Sequence, residues 1–259
     1  MTRRARVTFL GTGTSHGVPM IGCTCPVCTS EDPRDRRWRP SIYVQFPDLS
    51  VLVDTSTDLR AQALRFAVTR VDAILFTHGH ADHLMGLDEV RRYNSMQRGS
   101  ISCYADARTV GEIRSTFGYI FESDLPPGGG LPELDLFTIA GEFCLGRQEV
   151  VPVPVMHGTR PVLGYRFGSF AYLTDCSSIP DATWPLLEGV DLLVVDALRE
   201  RPHPTHFTLN QALEVVARVR PSRAWFTHIA HDLPHAETCR RLPGGVELAY
   251  DGLTVDVAV

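Results

Sequence analysis

Apolar and polar positions alternate in short runs along this 259-residue chain, and run after run ends at a histidine or an aspartate. Residues Arg6 to Leu10 predict a strand that leads into the turn-rich Gly11-Thr12-Gly13-Thr14-Ser15-His16-Gly17. Ser41 to Phe46 alternates and Ser50 to Val53 is apolar, with Pro47-Asp48-Leu49 between them as a hairpin connection. Leu59, Ala63 and Phe66 recur at helical spacing. Val71 to Phe76 reads as a buried strand running straight into Thr77-His78-Gly79-His80, and Leu84, Leu87 and Val90 turn helical after Asp82. The second half has the same rhythm. Strands are expected over Gln148 to Val155 (ending at His157), Gly164 to Phe167 with Phe170 to Leu173 (ending at Asp175), Asp191 to Val195 (ending at Asp196) and Ala224 to Thr227 (ending at His228), with a helix over Asn210 to Val219. Leu125 to Pro132 is the one irregular stretch and is read as a surface loop. Polar residues at the ends of apolar strands are how a rigid scaffold carries a site on its loops.

Composition narrows the class. Hydrophobic residues make up 44% and charged residues 21%, the balance of a globular protein, and the length suits one domain over residues 1–259. The net charge of −5 and the lack of a long basic run argue against a nucleic acid as partner, while a small anionic substrate stays open. No apolar run is long enough to cross a bilayer, and the N-terminal run is too short for a signal-peptide core, so no membrane partner and a cytoplasmic location are expected. Seven cysteines are then read as thiols or metal ligands; Cys103, Cys144, Cys176 and Cys239 are expected to be small buried hydrophobes.

The chemistry is concentrated in His78, His80, Asp82 and His83, three imidazoles and a carboxylate within six residues. Such a cluster is costly to desolvate without a cation, and imidazole with carboxylate suits Zn, Mn or Fe. His78 and His80, alternate residues of a turn, can grip one ion. Asp82 and His83, where a helix begins, can grip a second. The later strand ends supply what is missing: His157 and His228 as a third ligand for each ion, and Asp175 as a carboxylate able to bridge.

Thr77-His78-Gly79-His80-Ala81-Asp82-His83, followed by His157, Asp175 and His228, resembles the signature of the metallo-β-lactamase superfamily. The resemblance implies an α/β (α+β) fold, the four-layer αββα sandwich. It implies two catalytic divalent metals, Zn or Mn, the first held by His78, His80 and His157 and the second by Asp82, His83 and His228, with Asp175 between them. Asp54 matches an early aspartate that orients a ligand.

A second motif, Cys23-x-Cys25-x-x-Cys28, has the spacing of half a structural zinc site, so one structural Zn is expected in a loop near residues 22–28. Its fourth ligand is expected to be His231, three residues after His228, with His235 and Cys239 as alternatives. This loop, its preceding Gly11-Thr12-Gly13 through Gly17-Val18-Pro19, and Thr227-His228-Ile229-Ala230-His231 are similar to the phosphoribosyl 1,2-cyclic phosphate phosphodiesterase family of phosphonate breakdown. That resemblance implies hydrolysis of a small cyclic phosphate diester, with His206 protonating the leaving oxygen, and it suggests a homodimer. His206 and Asp82 are the catalytic residues expected; His16 and His203 are read as loop or surface histidines. Rival readings from the metal cluster alone are a ribonuclease Z-like tRNA-processing nuclease and a glyoxalase II-like thioesterase or lactonase.

Overall fold

The computed structural model describes residues 4–122 and 130–259. The chain runs through strands Arg4–Gly11 (β1), Ser41–Gln45 (β2) and Ser50–Val53 (β3), helix Leu59–Arg65 (α1) and strand Ala73–Leu75 (β4). Short helix Ala81–Leu84 (α2) and helix Arg91–Gln97 (α3) precede strand Ile101–Ala105 (β5), helix Ala107–Thr116 (α4) and strand Leu134–Thr138 (β6). The second half comprises Phe143–Leu145 (β7), Gln148–His157 (β8), Arg160–Phe167 (β9), Phe170–Leu173 (β10) and Leu192–Asp196 (β11). It closes with helix Leu209–Val219 (α5), strand Arg223–Thr227 (β12), helix His235–Arg241 (α6), and strands Val246–Leu248 (β13) and Thr254–Ala258 (β14).

These strands form two mixed sheets, ordered β14, β1, β2, β3, β4, β5, β6 and β13, β12, β11, β10, β9, β8, β7. The two-residue period of the strands explains the layering. Val51 and Val53 of β3, and Leu192 and Val194 of β11, face the space between the sheets with Phe9, Tyr165, Phe167 and Tyr172. Their neighbours point outward. Leu52, with Ile74 and Phe76, packs under Leu59, Tyr93 and Ile113 of the helices on the first sheet. Leu193 and Val195 pack under Ala212 and Val215 of α5 on the second. Each such side chain contributes about 1.5–3 kcal/mol by leaving water. Helices, sheet, sheet, helices is the four-layer αββα sandwich expected from the sequence.

Strand direction places the site. β3 to β6 run parallel, as do β10 to β13, so their C-terminal ends share one edge. Register keeps those ends level, with Val53 opposite Leu75, Leu173 opposite Val195 and Asp196 opposite Thr227. The sheets are joined there too: Tyr165 Oη donates to the Phe76 carbonyl at 2.7 Å and Leu163 N–H to the Thr77 carbonyl at 3.0 Å.

Three elements differ from the sequence expectation. The strand expected over Val71 to Phe76 contracts to Ala73–Leu75. The helix after Asp82 is broken because Thr55 captures its backbone: Thr55 N–H donates to the His83 carbonyl at 2.8 Å, Thr55 Oγ1 to that of Leu84 at 3.1 Å, and Gly86 N–H donates to the Thr55 carbonyl at 2.9 Å. Cys144, expected to be buried, is exposed on the short edge strand β7, and Cys239 is half-buried. Of the expected loop Leu125 to Pro132, residues 125–129 lie outside the described residues.

Candidate metal centre

Sharp turns at the strand ends aim the polar side chains inward. Asp54 after β3, Asp175 after β10 and His228 after β12 hold left-handed φ values of 64°, 51° and 58°. That conformation is unfavourable for residues with a Cβ, by roughly 1–3 kcal/mol each, and persists where the surroundings impose it. Gly79 answers a different need. A Cβ there would collide with the Glu112 carboxylate, which closes against the turn between His78 and His80.

The structure brings the expected residues together in two groups. Ligand atoms of His78, His80 and His157 lie within 4.8 Å of one another, as do those of Asp82, His83, Asp175 and His228. Asp175 spans both. Its Oδ1 is 3.9 Å from His78 Nε2 and 3.4 Å from His228 Nε2, and its Oδ2 is 2.9 Å from His83 Nε2. Asp82 Oδ2 sits 3.4 Å from His83 Nε2 and 3.5 Å from His228 Nε2.

The rings are fixed by their far nitrogens. His83 Nδ1–H donates to Asp54 Oδ2 at 2.7 Å, and His157 Nδ1–H donates to the Thr205 carbonyl at 2.8 Å. Asp54 also accepts from Thr77 N–H and Thr77 Oγ1, each at 2.8 Å, so that hydroxyl is free to accept from His78 Nδ1–H at 3.0 Å. With Nδ1 carrying the proton, Nε2 of each ring presents its lone pair inward, as metal-ligating histidines held by an outer acceptor do.

Those inward nitrogens are the test of whether a metal fits. His78 Nε2 and both ring nitrogens of His228 are buried without a hydrogen-bond partner, and an unmet buried polar atom costs about 1–3 kcal/mol; His83 Nε2 faces the Asp175 carboxylate. Electrostatics agree. Burial holds His78 well below the ordinary imidazole value and His157 down to about 4, keeping both neutral. Burial also acts against a proton on His83 and His228, yet Asp175 and Asp82 outweigh it, raising His83 well above the ordinary value and His228 to about 9. Asp175 itself is held well down, its burial outweighed by His228 and His83. Two buried carboxylates therefore demand cations, and protons on two histidines fill that role until a divalent metal takes it. The residues fit the group.

The cysteine loop fits a metal as well. Cys23, Cys25 and Cys28 place their Sγ atoms 3.2, 3.3 and 3.5 Å from His231 Nδ1. Ligands bound tetrahedrally to zinc at about 2.3 Å (S) and 2.05 Å (N) would stand about 3.6 Å apart. Burial alone would push Cys25 up, but hydrogen bonds from the Cys28 N–H and its neighbouring thiols and imidazole bring it to about 6. Burial and the adjacent sulfurs drive Cys28 up to about 11. One thiolate obstructs the next, which a dication would relieve. His235 and Cys239 lie apart from this group, facing each other at 3.7 Å. The loop is tied to the metal-cluster edge, since Ile229 N–H donates to the Thr12 carbonyl at 2.8 Å and Thr14 N–H to that of Ile229 at 3.3 Å.

His206 stands over both metal-ligand groups. Its ring stacks on His228 at 4.5 Å and meets His157 at 4.7 Å. Its Nδ1–H donates to the buried Asp196 Oδ2 at 2.7 Å, leaving Nε2 free. Sequence reasoning saw Asp196 only as a strand end; it holds the histidine. Asp196 Oδ2 also accepts the Cys176 N–H at 2.8 Å, and burial pushes its carboxyl up against the pull of His206. Beyond His206, Thr208 caps α5 in a reciprocal box with Gln211. One more residue escaped the sequence reading. Arg160, paired with Glu112 at 2.6 Å, acts with burial to lower His80. His203, read as a surface or loop histidine, lies 5.0 Å from the His206 ring. His16 is exposed, as expected.

A model of the beta-lactamase superfamily domain matches residues 50–229, spanning the histidine motif through His228. The crystal structure of a diphosphatase from the PhnP family superposes with a TM-score of 0.93 at 46% identity, over 99% of this chain and 98% of that one. The chain belongs to the metallo-β-lactamase superfamily, within its PhnP family. It is accordingly a metal-dependent hydrolase. Two further similar proteins were found. The octanoyltransferase of Porphyromonas gingivalis is 36% identical over 252 residues, covering 96% of this chain and 51% of that protein, so the chain spans about half that relative's length. The Zn(2+)-bound PqqB of Methylobacterium extorquens shares the fold, with a TM-score of 0.79, 20% identity and coverage of 97% and 100%. Among the described residues no helix is long and apolar enough to cross a membrane.

Proposed function

We propose that this PhnP-family chain is a dinuclear metal phosphodiesterase acting on a small cyclic phosphate diester such as 5-phosphoribosyl 1,2-cyclic phosphate. His78, His80 and His157 would hold one divalent metal and Asp82, His83 and His228 a second, with Asp175 shared; zinc and manganese suit this set of nitrogen and oxygen donors. Bound there, a metal pair supplies Lewis-acid polarisation of phosphoryl oxygens and a water of lowered pKa. The chain's own residues do the rest. Asp54 and the Thr205 carbonyl keep His83 and His157 in one tautomer. Asp196 holds His206 by Nδ1, so Nε2 carries the proton that a departing sugar oxygen needs. Cys23, Cys25, Cys28 and His231 take no part in the chemistry; they would hold a structural zinc that fastens the first loop to the one after β12.

The observation that carries this reading is the buried Asp196–His206 pair beside both metal-ligand groups. An alkoxide is a poor leaving group, and a positioned acid is worth about 10²–10⁴-fold. His206→Ala is expected to keep its metals and lose turnover on an alkyl or ribosyl diester, while losing far less on an aryl phosphodiester whose leaving group departs unprotonated. Equal losses on both would remove His206 from the acid role. A second reading has its own support: the relative that is 46% identical is a diphosphatase. A substrate panel of ribose cyclic phosphates, cyclic nucleotides, diphosphate esters, a thioester, a lactone and precursor tRNA separates the two. Turnover confined to the diphosphate esters would displace the cyclic-diester reading.

A further inference from the structure

The first loop and the arginine-rich segment after it line a cavity that the chemistry above leaves unused. It measures about 530 Å³ and is lined by Arg34, Arg36, Arg39, Arg65, Trp38 and His16, among others. A smaller cavity of about 220 Å³, reaching His203 and His206, shares His16 and Gly17 with it. The two therefore border the same stretch of the first loop, at His16 and Gly17.

Pairing decides which cations are available. Arg34 is taken by Asp32 at 2.7 Å, Arg39 by Asp58 at 3.0 Å, and the buried Arg37 by Asp35 at 2.9 Å. Arg37 also donates to the carbonyls of Ala230 and Leu233, at 2.8 and 2.7 Å, so it is a strut. Asp251, the other carboxylate lining the cavity, is spent on Thr12 N–H, Thr12 Oγ1 and Trp38 N–H at 2.9, 2.8 and 2.7 Å. Arg36 and Arg65 have no carboxylate at ion-pair distance among the described residues, and both are exposed. Arg65 is nonetheless ordered, its guanidinium lying 5.8 Å over the Trp38 ring and 5.7 Å over Phe66. A guanidinium held by its face keeps its edge of N–H donors free, the geometry that grips a phosphate bidentately. The volume exceeds what a lone phosphate fills and falls in the roughly 300–1,000 Å³ range of small-molecule sites, and Trp38 offers an aromatic wall.

We infer that this cavity is a binding site for a phosphate monoester carried on an organic body of nucleotide size, with Arg36 and Arg65 as the phosphate grips. The phosphate has two sources: a second phosphate at the far end of the substrate, which rests on the diester reading, or a separate phosphorylated ligand.

Calorimetric titration of the metal-loaded protein with adenosine 5′-monophosphate tests the site, with adenosine as the uncharged probe and the Arg36→Ala/Arg65→Ala double variant as the comparison. The monophosphate is expected to bind at least about tenfold more tightly than adenosine, and the double variant to lose that margin, because two charge-assisted contacts are gone. Equal binding of the two probes, or binding unchanged in the double variant, overturns the inference. An unchanged melting temperature and metal content show that the variant is folded, and Arg36→Lys/Arg65→Lys, which keeps the charge, should restore part of the affinity. The sources separate kinetically. If the substrate's own arm occupies the cavity, the double variant's preference for 5-phosphoribosyl 1,2-cyclic phosphate over an aryl diester drops about tenfold. If a separate ligand does, that preference holds and the monophosphate still binds. Should no diester be turned over at all, the proposed function fails while the titration still reports on the cavity.

Discussion

Asp196→Asn tests how the acid is held. The side chain keeps its volume and an oxygen to accept from His206 Nδ1–H and Cys176 N–H, which lie 2.7 and 2.8 Å away, but loses its charge. Hydrogen bonds to a charged partner contribute about 1.5–3 kcal/mol and neutral ones about 1 kcal/mol. The hydrogen bond that holds His206 therefore weakens by about 0.5–2 kcal/mol, or roughly 2–30-fold. The assay is kcat on two diesters, one with a ribosyl or alkyl leaving group and one with an activated aryl group. The first is expected to fall about 2–30-fold and the second by a smaller factor, with KM changed little on either. Metal content should stay constant, since Asp196 is outside both ligand groups. Parallel losses on both substrates with normal metal content would refute the reasoning.

Further outcomes follow from other parts of the molecule. Cys25→Ser should remove one metal equivalent per chain and lower the melting temperature by more than about 5 °C, while the remaining metals still support hydrolysis; unchanged metal content by mass spectrometry would contradict the zinc loop. Asp54→Ala frees His83 Nδ1 and should weaken metal binding at that group roughly 10–100-fold, with activity recovering at high metal concentration, as read by metal titration. His235 is held down to about 4 by burial, with Arg34 and Arg37 adding to it. Its neutral form is thus favoured in the fold, so its contribution is full above pH 6.5 and is lost as pH falls toward 4, by at most about 3 kcal/mol. His235→Gln should flatten the denaturant-measured stability between pH 6.5 and 4; an unaltered acid slope would exclude this group.

The sandwich was legible because its strands obey a two-residue period with few exceptions. Val51, Leu52 and Val53 take alternate faces, and so do Leu192, Leu193 and Val194. The site's residues stood out because each ends an apolar run, and parallel strands with level register deliver such ends to one edge. What stayed hidden depends on contacts that no local pattern carries. His157 is oriented by a backbone carbonyl 48 residues away, at Thr205, and Arg160 is paired across 48 residues with Glu112. Asp196 was visible as a strand end, but its partnership with His206 is made by the loop's return and not by spacing. The helix after Asp82 failed to continue for a related reason: Thr55, some thirty residues earlier, takes the hydrogen bonds that the helix would have used. Cys144 was misread because cysteine's usual burial says nothing of a short edge strand.

The most direct test of the central claim is anomalous diffraction from crystals of the purified protein, collected at the zinc and manganese edges, with diester hydrolysis assayed on the same preparation. Two peaks are expected at the histidine–aspartate groups with Asp175 between them, and a third among Cys23, Cys25, Cys28 and His231. An active preparation with no peak at His78, His80, His83 and His228 would contradict that claim.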